Sequence, residues 1–311
     1  MWILTTNENV MELETSSPKN SNKRTDTGSA PIISREQQFL KNCKSRKLLE
    51  KIPDMSNTLV RTRIDSFVRG RLIGWIVEVL ENLKKPFNYS EVFRTILIMD
   101  LYLKHYTQLL EDENMHIIGV TSMFISSKYE TNAHLNATEL TQIACHKKFE
   151  NEEIFALEFT ILKTLGFNVG YPSQYDVLRL FLFELFETDN AIFKTIEILS
   201  TNFLLFCLMD VHFNNYLIDE LAIAVIVTAV RYYYSCKMAT LQGAFSFGKV
   251  ENFSKQEKMI IHQILEYSGN PKQIEVLSRL IGKYLRGFKQ RFSDSLYVIK
   301  LFDFNEDLIG K

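Results

Sequence analysis

The sequence predicts an all-α protein, in which two successive five-helix units follow an N-terminal tail and an N-terminal helix. Three observations lead to this prediction. Apolar residues recur at helical spacing through most of the chain. Proline (6) and glycine (12) are scarce among the 311 residues, which disfavours a turn-rich β protein. Hydrophobic residues make up 46% and charged residues 23%, a balance that allows a sizeable core.

The N-terminal part is predicted to contain a tail and one helix. Residues 1–34 are rich in Ser, Thr, Asn and charged residues, and such a segment buries too little apolar surface to become ordered. Residues 35–63 are predicted as an N-terminal helix, over 35–50, followed by a connector. Pro53 disfavours continuation of that helix.

The first helical unit is predicted over residues 64–170. Each helix begins or ends at a recognisable signal, such as the acidic run before residue 114 or Gly166 after the last helix. The predicted helices cover 64–83, 89–109, 112–130, 137–145 and 151–165. The second of them is apolar nearly all round, which is typical of a buried central helix.

The second unit is predicted over residues 171–290, after the break at Gly170-Tyr171-Pro172-Ser173. Its helices are predicted at 173–186, 190–208, 215–236, 255–268 and 272–289. The repeat is inferred from the order of the helices, since the two halves share little direct identity. Residues 291–311 are predicted to be a tail whose aromatic residues pack back on the body.

Composition argues against several function classes. A net charge of −1 argues against a nucleic-acid partner, because binding phosphates requires a surplus of Lys and Arg. The four cysteines form no CxxC pair, so neither a zinc ribbon nor a disulfide framework is predicted. The most apolar stretch, 217–230, contains Asp219 and Glu220 and is too short to cross a bilayer. We therefore expect a soluble intracellular protein with no membrane, metal or cofactor partner.

No catalytic motif is present, so no catalytic residue is predicted.

Four ionisable residues interrupt otherwise apolar helices. Charges are rarely buried unless they are paired. Arg69 and Asp100 are predicted to form an internal pair between neighbouring helices, and Lys128 and Glu158 a second pair at the surface. One such residue alone is more often a solvated surface group. Four of them in this order favour specific pairing.

The same segments resemble a known family. The strings VRGRLIGWIVEVLENL, IMDLYL, IIGVTSMFISSKYE and ALEFTILKTLGFNV are similar to the cyclin box of A-type and B-type cyclins. The resemblance covers residues 64–170 and continues more weakly to about residue 290. The five positions that mark the family fall on Arg69, Asp100, Ile117, Lys128 and Glu158, with Ile117 in place of the usual leucine.

The resemblance implies two tandem cyclin-box folds and a role as activating subunit of a cyclin-dependent protein kinase, at the G2/mitosis stage. Lys128 and Glu158 would bind backbone groups of the kinase's movable small-lobe helix. Apolar contacts would come from Tyr129, Leu162, Phe167 and Val169. The protein would supply no catalytic group and would be found in the nucleus, the cytoplasm or both.

The resemblance also implies a groove on the first long helix that binds RxL-type peptides of substrates or inhibitors. Its positions match Val68, Leu72, Trp75 and Glu78. Arg71 stands where the family usually has isoleucine and would repel a basic peptide, while Gly74 replaces a usual aspartate. The alternative is that Trp75 is a core residue on a buried helix face.

Three other functions remain open at this point. A transcription-type or orphan cyclin would share the fold but have another task. A core similar to general transcription factor IIB would bind nucleic acid, but it would require a zinc ribbon and a basic surface. An all-helical enzyme would require a nucleophile and base that the sequence does not reveal.

Overall fold

The computed structural model describes residues 55–83, 86–106, 109–186, 191–243 and 247–291. Within these ranges all regular secondary structure is helical, so the all-α prediction is confirmed. The predictions for the tail at 1–34, the helix at 35–50 and residues 292–311 lie outside the described residues.

The described helices form two groups in chain order. The first group consists of α1 (Met55–Thr62), α2 (Ser66–Leu83), α3 (Tyr89–His105), α4 (Asp112–Glu130), α5 (Ala137–Glu139, continued by a π-helical turn Leu140–Ala144) and α6 (Asn151–Thr164). The second group consists of α7 (Gln174–Leu185), α8 (Ala191–Met209), a 3₁₀ turn (Val211–Asn215), α9 (Ile218–Gly243), α10 (Phe247–Tyr267) and α11 (Pro271–Arg291).

The helix starts follow local capping chemistry. The Asn88 side chain accepts a hydrogen bond from the backbone N–H of Ser90, which begins α3. Ser173 and Asp176 form a reciprocal capping box that begins α7. These side chains satisfy backbone N–H groups that would otherwise lack a partner, so each helix begins where its cap is encoded.

The ends of three helices differ from the prediction by four to eight residues: α3 ends at His105, α9 continues to Gly243 and α10 begins at Phe247.

Two other elements differ in kind. The segment predicted as a connector contains α1, a helix of 8 residues. The helix predicted at 137–145 is α-helical only over Ala137–Glu139, and the Cys145 N–H then donates to the Leu140 carbonyl at 2.9 Å, a π-type bond. The π-type turn has no periodic signal in the sequence, because one extra residue in a turn leaves the apolar spacing nearly unchanged. Helix α1 does have one, since its buried residues Met55, Thr58, Leu59 and Thr62 fall at the i, i+3, i+4, i+7 spacing of a helix.

The buried side chains form one continuous cluster that runs through both groups. Helix α3 lies at its centre, with residues 91–103 all buried. In α8 the window Ile192–Met209 is long and apolar enough to cross a membrane, but 72% of it is buried within the protein. Burial of that kind is typical of a core helix, and the apolarity of α8 is explained by its packing against α9.

Arg69 joins the two groups inside this core. Its Nε donates to Asp100 Oδ1 at 2.9 Å and its Nη2 to Asp100 Oδ2 at 2.6 Å, while Nη1 donates to the Leu208 carbonyl at 2.7 Å. The two side chains are 0% and 2% exposed. A bidentate pair of this geometry compensates the loss of water around both charges. It also fixes α2 and α3 against the end of α8.

Arg94 is a second junction, which the sequence analysis did not identify. Its Nε donates to Glu130 at 2.7 Å, its Nη1 to the carbonyls of Val169 (3.2 Å) and Tyr171, and its Nη2 to Asp176 at 3.2 Å. The side chain is 7% exposed. One guanidinium therefore connects α3, the end of α4, the segment between the groups and the first turn of α7.

We predict that Asp100→Asn destabilises the protein strongly. The substitution preserves the shape but leaves the Arg69 charge buried without its counter-ion, which costs about 3–5 kcal/mol of unfolding free energy. Equilibrium urea denaturation measures this. As a control, Glu266→Gln removes the partner of His262 in an exposed pair and should change stability by less than about 1 kcal/mol. Equal effects of the two substitutions would contradict the role of the buried pair.

We further predict that Arg94→Lys lowers the unfolding free energy by about 1.5–3 kcal/mol, because an ammonium group cannot reach all four acceptors in the plane of the guanidinium fork. The same denaturation experiment measures it. The matched control is Arg179→Lys in α7, where a half-exposed arginine lies 3.8 Å from Glu197. A loss at Arg94 no larger than at Arg179 would show that the fork is not required.

Candidate functional site

Lys128 and Glu158 lie together at the surface. Lys128 is in the last turn of α4, Glu158 is in the middle of α6, and the ammonium donates to the carboxylate. Their side chains are 35% and 16% exposed, so both remain accessible to a partner. Lys128 Nζ also lies 4.0 Å from the centre of the Phe124 ring, a cation–π contact that holds the ammonium in place.

Four exposed aromatic side chains, which we call the aromatic rim, lie on the segments that carry this ion pair. Tyr129, Phe155, Phe159 and Phe167 are 52%, 48%, 59% and 63% exposed. Tyr129 and Phe159 directly follow the two charged residues in sequence, and the Phe155 ring lies 5.8 Å from that of Phe124. Large exposed aromatics concentrated in one place are typical of a protein-binding surface.

The predicted contact residues are therefore partly accessible, and two further residues join them. Leu162 and Val169 are half-buried against the core. Phe155 and Phe159 were not predicted as site residues, since periodicity alone assigns large apolar side chains to the core. Their i, i+4 spacing places both along one edge of α6, and only the structure shows that this edge is exposed.

Phe167 is held outward by the turn that ends α6. Gly166 and Phe167 both adopt left-handed backbone conformations, with φ of 60° and 57°. The Phe167 N–H donates to the Leu162 carbonyl at 2.7 Å, which closes the helix end. A left-handed conformation costs a residue with a side chain about 1–2 kcal/mol. The structure thus maintains an unfavourable backbone conformation at an aromatic residue that is mostly exposed, which is typical of functional positions.

The Tyr129 ring packs against the guanidinium group of Arg94. The Arg94 guanidinium carbon lies 4.9 Å from the centre of the Tyr129 ring. Gly170 leaves room for the ring, since a Cβ atom there would lie 2.9 Å from the Tyr129 hydroxyl oxygen. The rim residue is thus held by the same arginine that joins the two helical groups.

The predicted peptide groove has a mixed environment. Leu72 is buried, while Val68, Trp75 and Glu78 are half-buried. The Trp75 ring contacts His116 edge to face at 4.5 Å between centroids. Burial lowers the pKa of His116, and the charge of Lys148 adds to this effect. Trp75 therefore packs partly against the body and partly faces solvent, so both of its predicted roles stay open.

Arg71 lies beside these residues as an exposed cation. Its guanidinium carbon is 5.9 Å from the centre of the Phe67 ring, which is itself 41% exposed. Gly74 is buried. The groove positions thus carry a positive charge at their edge.

Among the described residues, no group of three His, Cys, Asp or Glu side chains is arranged to hold a metal ion. Cys145 and Cys207 are free and buried. Burial raises the pKa of Cys145 to about 11 and raises that of Cys207 well above its ordinary value. Both are therefore protonated and unreactive at neutral pH.

The segment that carries the site is similar to known proteins. The family model for the cyclin N-terminal domain matches residues 38–170, which include Lys128, Glu158 and the aromatic rim. A G2/mitotic-specific cyclin-B3 of Gallus gallus is 29% identical over 147 residues, which cover 47% of this chain and 32% of that protein. Cyclin-A2-1 of Arabidopsis thaliana is 27% identical over 182 residues, which cover 58% and 40% of the two chains. The chain therefore matches well under half the length of these relatives.

A solved structure agrees on the fold. The X-ray structure of a viral cyclin from herpesvirus saimiri superimposes with a TM-score of 0.54 at 19% identity, covering 73% of this chain and 96% of that one. This similarity shows the all-α cyclin-box fold. Residues 38–170 thus match the cyclin N-terminal domain, and the chain is similar to A-type and B-type cyclins.

Proposed function

We propose that this chain is the activating subunit of a cyclin-dependent protein kinase and that it acts in the cell cycle, at the G2/mitosis stage. The observation that carries the proposal is the accessible Lys128–Glu158 pair beside the aromatic rim. Its B-type and A-type relatives support the cell-cycle role over that of a transcription-type or orphan cyclin. The complex is proposed to occur in the nucleus, the cytoplasm or both.

The ion pair has the chemistry to bind a partner's backbone. An ammonium donates three hydrogen bonds and a carboxylate only accepts them, so the pair offers both functions side by side. A carboxylate is also favoured next to the free N–H groups at a helix N-terminus, as on the kinase's movable helix. A surface ion pair stabilises a protein by only about 0–1 kcal/mol. Lys128 and Glu158 can therefore give up the bond between them and bind groups of a partner at little cost.

The aromatic rim would supply most of the affinity. Binding energy at protein interfaces is concentrated in a few large side chains, with aromatic residues prominent among them. Tyr129 and Phe167 are also fixed in place before binding, by Arg94 and by the left-handed turn. Such preorganisation reduces the entropy that binding must overcome.

The proposed mechanism involves no catalytic group of this chain. The kinase alternates between inactive and active states, and docking would favour the state in which its Lys–Glu ion pair is complete. A ligand shifts such an equilibrium only by its differential affinity for the two states. The contribution of this chain is thus a rigid surface that fits the inward position of the kinase helix.

Docking of RxL-type substrates or inhibitors at Val68, Leu72, Trp75 and Glu78 is a separate proposal. The half-buried Trp75 supports it, and the exposed Arg71 charge opposes binding of a basic peptide.

We predict that the double variant Lys128→Ala/Glu158→Ala loses kinase binding and activation while remaining folded. Loss of two central contacts of at least about 2 kcal/mol in total corresponds to affinity weaker by about 30-fold or more. The measurement uses purified cyclin-dependent kinases, with affinity from calorimetry and activity from histone phosphorylation. Circular dichroism checks the fold.

The matched control is His262→Ala/Glu266→Ala, which removes an exposed pair on α10 and should leave both affinity and activity unchanged. A folded Lys128/Glu158 double variant that still activates the kinase as well as this control would refute the proposed docking surface. Intrinsic turnover of a substrate by the purified chain alone would instead favour the enzyme hypothesis.

A further inference from the structure

The outer face of α11 carries a stripe of four basic side chains. Lys272, Arg279, Lys283 and Arg286 are all exposed and are separated by seven, four and three residues. At 3.6 residues per turn this spacing places them within an arc of about 60°, over a length of about 21 Å. We call these four residues the basic stripe.

The basic stripe is only partly neutralised. Arg279 pairs with Glu275 at 2.9 Å, but Glu275 is shared with Arg231 of α9 at 2.6 Å. Lys272, Lys283 and Arg286 form no ion pair with another described residue. Glu220 of the neighbouring helix α9 accepts a hydrogen bond from the side-chain amide of Gln273, the residue after Lys272, at 2.7 Å.

The helix dipole does not account for this arrangement. A cation is favoured at the C-terminal end of a helix and disfavoured in the first turn. Arg286 lies toward the favourable end, but Lys272 lies in the first turn of α11. The stripe is therefore not explained by the helix dipole, and it offers a positively charged face to a negatively charged partner.

An exposed apolar side chain lies inside the stripe. Val276 is 69% exposed and is four residues after Lys272, so it points to the same side of the helix. A partner that fits this face would combine carboxylates with apolar side chains.

The chain itself contains such a segment just after α11. Residues 292–311 contain four acidic side chains against two basic ones, and three of the four, Asp303, Glu306 and Asp307, fall within five residues. Phe302 and Phe304 flank Asp303. Asp303 is the twelfth residue after Arg291, a tether that spans up to about 40 Å. Lys272 lies about 29 Å back along α11, so every stripe residue is within reach.

We propose that residues 303–307 bind the basic stripe of α11 within the same molecule, with their carboxylates on Lys272, Lys283 and Arg286 and a flanking phenylalanine on Val276. The short tether raises the effective concentration to the millimolar range, so even weak ion pairs would be occupied. Opposite charge and tether length support this occupant over an acidic partner protein.

Zero-length carbodiimide cross-linking of the full chain tests the proposal. The reagent activates a carboxylate, and an amine in contact with it forms an amide, so only direct neighbours are joined. We expect intramolecular cross-links from Lys272 or Lys283 to Asp303, Glu306 or Asp307, identified by mass spectrometry on the monomer band. At 1 M salt the Debye length is only about 3 Å, so screening of the ion pairs should reduce the yield of these cross-links severalfold.

The control variant Asp303→Asn/Glu306→Gln/Asp307→Asn should lose these cross-links and keep the remaining ones. Cross-links from residues 303–307 that are equally frequent to Lys104, an exposed lysine at the end of α3, would overturn the proposal. So would cross-links found only between two molecules, or only to an added acidic protein. The result is independent of kinase activation, because the docking surface lies on α4 and α6.

Discussion

The buried guanidinium of Arg69 is the constraint on which the rest of the structure depends. It binds Asp100 with two hydrogen bonds and the Leu208 carbonyl with a third, so it fixes helices of the first group against the second. Because the group is fully buried and charged, any displacement of these helices would leave an unpaired charge in the core. The pair thus penalises alternative arrangements of α2, α3 and α8, while the apolar cluster around it supplies the bulk of the stability.

A rigid body of this kind explains why the candidate site lies on helix ends and turns. Arg94 connects the core to the surface, because its one side chain contacts Glu130, the segment at 169–171 and the Tyr129 ring. The left-handed turn at 166–167 fixes Phe167 in the same region. Lys128 and Glu158 are therefore presented by α4 and α6 at a separation that the core determines, and the partner would encounter a surface already in its binding geometry.

The sequence predicts much of this fold for identifiable reasons. Helix α4 is found at the predicted limits, 112–130, because an acidic start and a polar end enclose its apolar run. The two charged pairs follow from the rule that charges inside apolar helices seek partners. Arg94 carried the same signal as Asp100 but has partners on three other segments, which no local pattern reveals. Phe155 and Phe159 were not predicted as site residues, because helical periodicity does not distinguish an apolar face that packs in the core from one that is exposed at the surface.

Amide hydrogen exchange on this chain, with and without a saturating cyclin-dependent kinase, tests most directly whether the kinase binds at the Lys128–Glu158 pair. We expect slower exchange over the end of α4 and over residues 155–170, where the Lys128–Glu158 pair and the aromatic rim lie, with no change along α11. Protection confined to α10 or α11, or none at all in a complex shown to be formed, would contradict binding at this pair.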